Sequence, residues 1–242
     1  MTDTETTPIT VALVHGAFAD SSGWAGVVER LQAELVPVQA VVNPLRGIAH
    51  DADYVASALA QIPGRVLAVG HSYGGAIITN AASRAGNVVG LVYVAAFAPD
   101  EGEVLGDITA DSKDSVLNTA LVELQFPTAD GGHATEYAIH PDHFQHAFAA
   151  DVSEVEARVM AAVQRPVAAA AFTEKSGPPA WKTLPSWAVV PTADTAAGAD
   201  VVRAMAKRAN ATAVEVDASH VVMVSHPEAV AALIQQALDA LS

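Results

Sequence analysis

The pentapeptide Gly70-His71-Ser72-Tyr73-Gly74 constrains this chain more than any other feature, because of what stands on each side of it. Before it, Arg65-Val66-Leu67-Ala68-Val69 is a short apolar, β-branched run that reads as a buried strand. After it, Gly75-Ala76-Ile77-Ile78-Thr79-Asn80-Ala81-Ala82 reads as a buried helix built from small residues. A bare G-x-S-x-G pattern arises by chance in a chain with 16 glycines. Between a strand and a helix it becomes a sharp turn that strains the serine backbone and lifts its hydroxyl above the sheet edge. Strand and helix pass close together at such a turn. Gly70 and Gly74 provide the room, and Gly75 adds more.

The same strand-then-helix rhythm runs through both ends of the chain. Ile9 to Val14 reads as a strand. A helix capped by Ser21 or Ser22 runs through Glu34, with Trp24, Val27, Val28, Leu31 and Leu35 at helical spacing. Val36 to Val42 is a strand, interrupted by Pro37, and Asp51 to Ile62 is a helix stopped by Pro63-Gly64. Val88 to Ala95 and Trp187 to Val190 are buried strands, followed by helix Ala199 to Ala209, strand Thr212 to Val216 and helix Pro227 to Leu241. Repeated units of this kind predict an α/β fold, a mostly parallel sheet of about six strands flanked by helices. Residues 1–98 and 186–242 form that core.

Residues 99–185 break the rhythm. They hold seven of the 13 prolines, clusters of acidic residues and helix-like pieces at Ser112 to Leu124, Pro141 to Phe148 and Val152 to Gln164, with no good strand. They read as a mostly helical cap inserted between two strands, over the C-terminal edge of the sheet where open α/β folds bind ligands.

A serine hydroxyl needs a base to take its proton and a third group to hold that base. In a fold of this kind the order along the chain is nucleophile, acid, histidine. His220 follows the last predicted strand and is the best base. Asp194 follows the strand Trp187-Ala188-Val189-Val190-Pro191 and is the preferred acid. Asp100, after the strand ending at Ala95, is the alternative, whereas Asp217 is too close to His220 in sequence. An oxyanion needs two backbone N–H groups aimed at the developing charge. Tyr73, at the start of a helix, supplies one, and Ala17 in Val14-His15-Gly16-Ala17-Phe18 supplies the other. Phe18 either lines the acyl pocket or packs in the core. His133, His140, His143 and His146 cluster in the cap, but no carboxylate or cysteine completes a metal set, so no metal is expected. Arg46 reads as a loop anchor and Trp24 as core. Trp181 and Phe144 are candidates to face the pocket.

Composition narrows the partners. A net charge of −15 disfavours nucleic acid or an anionic membrane, both of which need a basic surface. The chain has no cysteine, hence no disulfide and no thiolate metal site. Met1-Thr2-Asp3-Thr4-Glu5 lacks the basic and apolar regions of a secretory leader, and no apolar run reaches the length of a membrane span. A cytoplasmic protein is expected, its acidic surface compatible with a monomer or a homodimer.

Over essentially its whole length the chain resembles the α/β-hydrolase superfamily. It looks most like the small esterase branch that also contains plant methylesterases and hydroxynitrile lyases. The matching pieces are Leu13-Val14-His15-Gly16-Ala17-Phe18, Gly70-His71-Ser72-Tyr73-Gly74-Gly75, Leu91-Val92-Tyr93-Val94-Ala95-Ala96-Phe97-Ala98-Pro99 and Ser219-His220. The resemblance implies the α/β-hydrolase fold with a helical cap insertion, Ser72, Asp194 and His220 as a triad, Ala17 and Tyr73 as oxyanion donors, and no cofactor. It implies a carboxylesterase-like serine hydrolase acting on small carboxylic esters. The alternatives are a non-hydrolytic ligand-binding member and a lyase or cofactor-free oxygenase. Hydroxynitrile lyases of the branch carry a threonine after the first-loop histidine and a lysine after the catalytic histidine. Here those places hold Gly16 and Val221. Relatives often have a basic or bulky residue and an Ile-Pro pair after the aspartate, and the loop Asp194-Thr195-Ala196-Ala197-Gly198 departs from that. Dehalogenases and epoxide hydrolases use an aspartate nucleophile, which Ser72 replaces.

Overall fold

A computed structural model describes residues 8–242. The polar Met1–Glu5 segment lies outside the described residues.

The chain enters at strand β1 (Thr10–Val14), turns through a 3₁₀ segment (Ser21–Trp24) into α1 (Ala25–Ala33), and returns as β2 (Val38–Val41). Then follow α2 (Ile48–Ala60), β3 (Val66–His71), α3 (Tyr73–Ala85) and β4 (Val88–Val94). After the cap come β8 (Ser186–Pro191), α8 (Ala199–Arg208), β9 (Thr212–Val216), a short α9 (Val222–Ser225) and α10 (Pro227–Leu241). The six core strands lie in the order β2-β1-β3-β4-β8-β9, every neighbouring pair parallel. The order reverses between β1 and β3, so their C-terminal ends flank the switch point where open α/β sheets form their binding crevice. His15 follows one of those strands and Ser72 the other.

Burial explains the strand sequences. β3 and β8 are buried at every residue, since helices cover both faces, and they read as unbroken apolar runs. The edge strands β2 and β9 are half-exposed and carry Gln39 and Glu215. Right-handed crossovers put α2, α3 and α8 on one face. Helix α10 packs with α1 on the other. The core is a continuous cluster of Val, Leu, Ile and Ala around the sheet, with Trp24 fully buried. Two helix starts differ from expectation. Asp20, rather than Ser21 or Ser22, caps the first helical turn by accepting the Ser22 N–H. Helix α2 begins at Ile48, because Gly47 at φ 143° turns the chain early.

The segment between β4 and β8 contains α4 (Leu105–Ala110), β5 (Leu121–Pro127), β6 (His133–Ile139), α5 (Pro141–Phe148), α6 (Glu154–Val163), β7 (Val167–Ala168) and α7 (Ala170–Thr173). Helices α5 and α6 lie where the spacing predicts them. The expectation of no strand is corrected: β5, β6 and β7 form a three-stranded antiparallel sheet. Ser112 to Leu124 is accordingly not a helix. It holds a 3₁₀ turn at Leu117–Thr119 and then enters β5. The β5–β6 hairpin closes over Thr128 to Gly132, where Thr128 N–H donates to the Gly132 carbonyl and Gly131 takes φ 85°. The Asp130-Gly131 pair between two runs of β-formers was the available signal. Both strands are half-exposed, so neither shows the apolar run of a core strand. No described helix is long and apolar enough to cross a membrane.

Candidate active site

Ser72 stands between the last residue of β3 and the first of α3, with φ 52° and ψ −122°. Such a conformation is costly for a residue with a Cβ and persists only where its surroundings force it. The forcing is visible. Ser72 N–H donates to the Val94 carbonyl at 3.2 Å, and the Ser72 carbonyl accepts from Gly75 and Phe97. A Cβ at Gly74 would come within 2.5 Å of the Val14 carbonyl oxygen, and one at Gly16 within 2.7 Å of Ser72 Cβ. Glycine at these positions lets β1, its following loop and the serine turn touch.

His220 is buried, and its Nδ1 lies 2.8 Å from Asp194 Oδ2. The other carboxylate oxygen of Asp194 accepts the N–H groups of Ala196 and Ala197 at 2.9 and 3.0 Å. A carboxylate that only accepts places the proton on His220 Nδ1 and leaves Nε2 free as a base. The structure brings Asp194, not Asp100, to the histidine. Asp100 is paired with Lys182 at the rim of the cap, and Asp217 accepts only a long bond from Thr192.

Ala17, Phe18, Ser72, Tyr73 and His220 line one cleft, roofed from the cap by Thr109, Leu117, Phe148 and Phe172. Among the described residues neither the Ala17 nor the Tyr73 backbone N–H donates to another protein group. Phe18 is a wall of this cleft and is also packed, edge-on to Phe148 at 6.3 Å and stacked on Phe172 at 6.5 Å. The ring is thus packed and at the same time a wall of the cleft.

Several supporting residues carried no recognised signal in the sequence. The Tyr73 hydroxyl donates to Asp51 at 2.9 Å, and Asp51, wholly buried, also accepts the Arg46 N–H. Burial and the adjacent Asp51 raise the Tyr73 phenol well above its ordinary range, so it stays a donor. His15 donates from Nδ1 to the Gly16 carbonyl and accepts the Asn43 N–H at Nε2, which fixes the loop that carries Ala17. Burial, with Arg165 nearby, lowers its pKa and keeps it neutral. His71 donates from Nε2 to the His220 carbonyl at 3.1 Å, with ring centroids 4.7 Å apart. Complete burial, and then His220 itself, hold its pKa well below the ordinary imidazole value. From the cap, Asp151 accepts both the N–H and the hydroxyl of Ser219, the residue before His220. Burial works to raise the Asp151 carboxyl, but these bonds prevail and its pKa lies below the ordinary carboxylate value.

The remaining candidates fall elsewhere. Arg46 anchors the cap through Glu136 at 2.8 Å and lies over the Phe126 ring. Trp181 donates to the Pro99 carbonyl away from the cleft, and Phe144 packs behind Phe148. His133, His143 and His146 are exposed, and His140 caps α5 by accepting the Asp142 N–H. No cluster able to hold a metal ion occurs among the described residues.

Solved structures share this fold at low sequence identity. Polyneuridine aldehyde esterase superposes with a TM-score of 0.76 at 16% identity, covering 96% of this chain and 100% of that one. Methylketone synthase I from tomato gives 0.77 at 15% identity over 98% and 100%. A pyrethroid hydrolase from Sphingobium faniae JZ-2 gives 0.73 at 21% identity over 97% and 98%. No curated protein matches in sequence. The family model described as the alpha/beta hydrolase family matches residues 11–233, which span β1 to α10 and every residue of the cleft, and this chain belongs to that family.

Proposed function

We propose that the protein is a serine hydrolase acting on small carboxylic esters through an acyl-enzyme. The observation that carries this is the buried 2.8 Å bond between His220 Nδ1 and Asp194, in a cleft shared with Ser72 and with two undonated backbone N–H groups. A histidine held this way has its basic nitrogen ready. A serine held on a strained turn has little freedom to leave its position.

In this mechanism Ser72 Oγ attacks the ester carbonyl carbon while His220 Nε2 takes its proton. The carbonyl oxygen becomes an oxyanion that receives hydrogen bonds from Ala17 and Tyr73 N–H. Each such donor is worth about 3–4 kcal/mol in the transition state. Asp194 stabilises the imidazolium. Collapse breaks the bond to the alcohol, whose oxygen takes the proton from His220, and leaves an acyl-serine. Water, deprotonated by His220, then attacks the acyl carbon; the bond to Ser72 Oγ breaks, Oγ takes the proton back from His220, and the acid leaves. These side chains suffice for every step. The relatives by fold whose names include an esterase and a hydrolase are consistent with the reading.

Stopped-flow hydrolysis of p-nitrophenyl acetate tests it. A burst followed by slower turnover is expected from the wild type. In Ser72→Ala the burst should vanish, with kcat lower by about 10⁴ to 10⁶. Equal rates in the two proteins would sink the assignment. An inert wild type that binds apolar ligands tightly would favour the non-hydrolytic reading.

A further inference from the structure

The cleft at Ser72 and His220 has about 10 Å³ of room for the centres of water-sized molecules. That is of the order one water needs, and far less than an ester. A larger space begins behind two of its walls. The rings of Phe18 and Phe148 also line a groove of about 380 Å³ in the same measure, in the range of small-molecule pockets. The groove runs between cap helix α6 and the helical turns after β1. Val159, Met160 and Val163 form its cap side, and Met223 its core side.

Four observations say what it accepts. First, Val155, Val159 and Val163 repeat every fourth residue on α6 and are 63%, 58% and 52% exposed. An apolar stripe of this kind on an outer helix face marks a binding surface, and two of its three members continue into the groove wall. Second, two flexible methionines line it, side chains that adapt to varied apolar shapes. Third, no Lys, Arg or His lines it, while Asp20 and Glu156 do, which disfavours an anionic ligand. Asp20 is already committed to Ser22, and Gln164 to Ile139. Fourth, its partition from the cleft is a pair of rings in edge contact. Phe148, the last residue of α5, lies 4.9 Å from the His220 ring and 6.3 Å from Phe18. Phe18 and Phe148 are thus the walls that the two spaces share.

We propose that this groove binds the neutral hydrocarbon arm of the substrate's alcohol, with Phe148 as the gate that sets its size. The inference rests on the ester-hydrolase reading and extends its substrate class from small esters to those of long or bulky apolar alcohols. The alcohol side follows from geometry. His220 returns the proton to the leaving oxygen, so the alcohol lies on the His220 side of the bond. Phe148, in the groove wall, lies against that ring, and Met223 and Val224 in the same wall follow His220 in the chain. A second space of about 400 Å³, which shares Thr109, Leu117 and Phe172 with the cleft and carries Asn118 and Glu123, is left for the acyl side.

The test is hydrolysis of acetate esters of linear alcohols from ethyl to decyl, so that the acyl chemistry stays constant. In the wild type kcat/KM should rise by about fourfold per added methylene over the first several carbons, equivalent to about 0.8 kcal/mol each. Val159→Asp, at an exposed site that tolerates the change, and Met160→Trp, which fills the groove, should each flatten this slope. A flat series in the wild type overturns the proposal, as does a slope unchanged in both variants. So does a rise confined to ethyl esters of lengthening acids. Calorimetric titration with N-decylacetamide, a neutral amide with the same arm, separates the two readings. Binding that weakens about tenfold or more in Val159→Asp, without cleavage of any ester, would end the hydrolase reading and keep the groove. Ester cleavage with no binding of N-decylacetamide would do the reverse.

Discussion

The sheet edge that carries Ser72 and the cap that roofs it hold their shapes by different means. At the sheet edge, contact is backbone on backbone. Gly16, Gly70 and Gly74 let β1, β3 and α3 meet with no side chain between them, and a Cβ at any of the three would lie under 3 Å from a neighbour. The cap is joined to the core mostly through side-chain bonds spread along its length, with single backbone bonds such as Val116 N–H to the Thr195 carbonyl and Ala168 N–H to the Leu45 carbonyl. Asp151 holds Ser219, Arg165 donates to the Asn43 carbonyl, Arg46 holds Glu136, and Arg208 holds Glu103. Its own sheet is half-exposed and its helix α6 shows valines to solvent. The proposed chemistry, which needs precise placement, falls on the first kind of structure. The walls that would admit and release its ligand fall on the second, where loosening one contact leaves the others in place.

The comparison breaks most sharply at Asp194. Asp194→Asn would keep the loop but remove the charge that sets the His220 tautomer, and kcat on p-nitrophenyl acetate should fall by about 10⁴. A loss under tenfold would mean that His220 is not held through Asp194. Next in size is a stability effect confined to the sheet edge. Gly74→Ala pushes a methyl against the Val14 carbonyl and should cost about 1–3 kcal/mol or more. Thermal unfolding would register this as a Tm lower by at least a few degrees. The cap counterpart is smaller and of another kind. Asp151→Asn loosens the latch on Ser219 and should lower kcat by roughly fivefold, equivalent to about 1 kcal/mol of positioning. KM should stay nearly constant and Tm should move little. A Tm loss as large as that of Gly74→Ala would show that the cap is as integral as the sheet.

Acid separates the two regions by pH. In the folded core His71 and His15 resist protonation, so their folded pKa values lie below those of the unfolded chain. Above about pH 6.5 they are neutral in both states and cost nothing. As pH falls below that, the unfolded chain binds protons that the folded core refuses, and stability declines. The Asp151 carboxyl also has a depressed folded pKa, so its contribution is full above the ordinary carboxylate value of about 3.9 and is lost as pH falls further. Tm followed from pH 8 to 3 should drop in two stages. His71→Phe should shrink the first, whereas Asp151→Asn should trim the second only slightly, since Glu103 and Asp200 share it. A first stage unaltered in His71→Phe would assign the acid sensitivity to His15 or to other groups.

By itself the sequence determined the parts whose signal is local or repeats along the chain. The apolar runs of β3 and β8, each buried on both faces, declare a parallel sheet. The glycines around Ser72 declare a turn so tight that little else can stand there. The chain order of serine, acid and histidine then follows the strand ends, because each loop at the C-terminal edge must start where its strand stops. Only the tertiary structure decided the rest. Asp194 and Asp100 both follow core strands, and what separates them is that one meets His220 and the other meets Lys182. The hairpin of β5 and β6 was read as helix and loop because a half-exposed strand gains its order from its cross-strand partner, not from its own burial. Thr109, Leu117, Phe148 and Phe172 became walls of the cleft by the way the cap settles on the sheet. Asp51, Asp151 and His71 act through bonds to residues 22, 68 and 149 positions away. No periodicity records such pairings. The free energy that makes them lies in desolvation and geometry, which exist only once distant segments have been brought together.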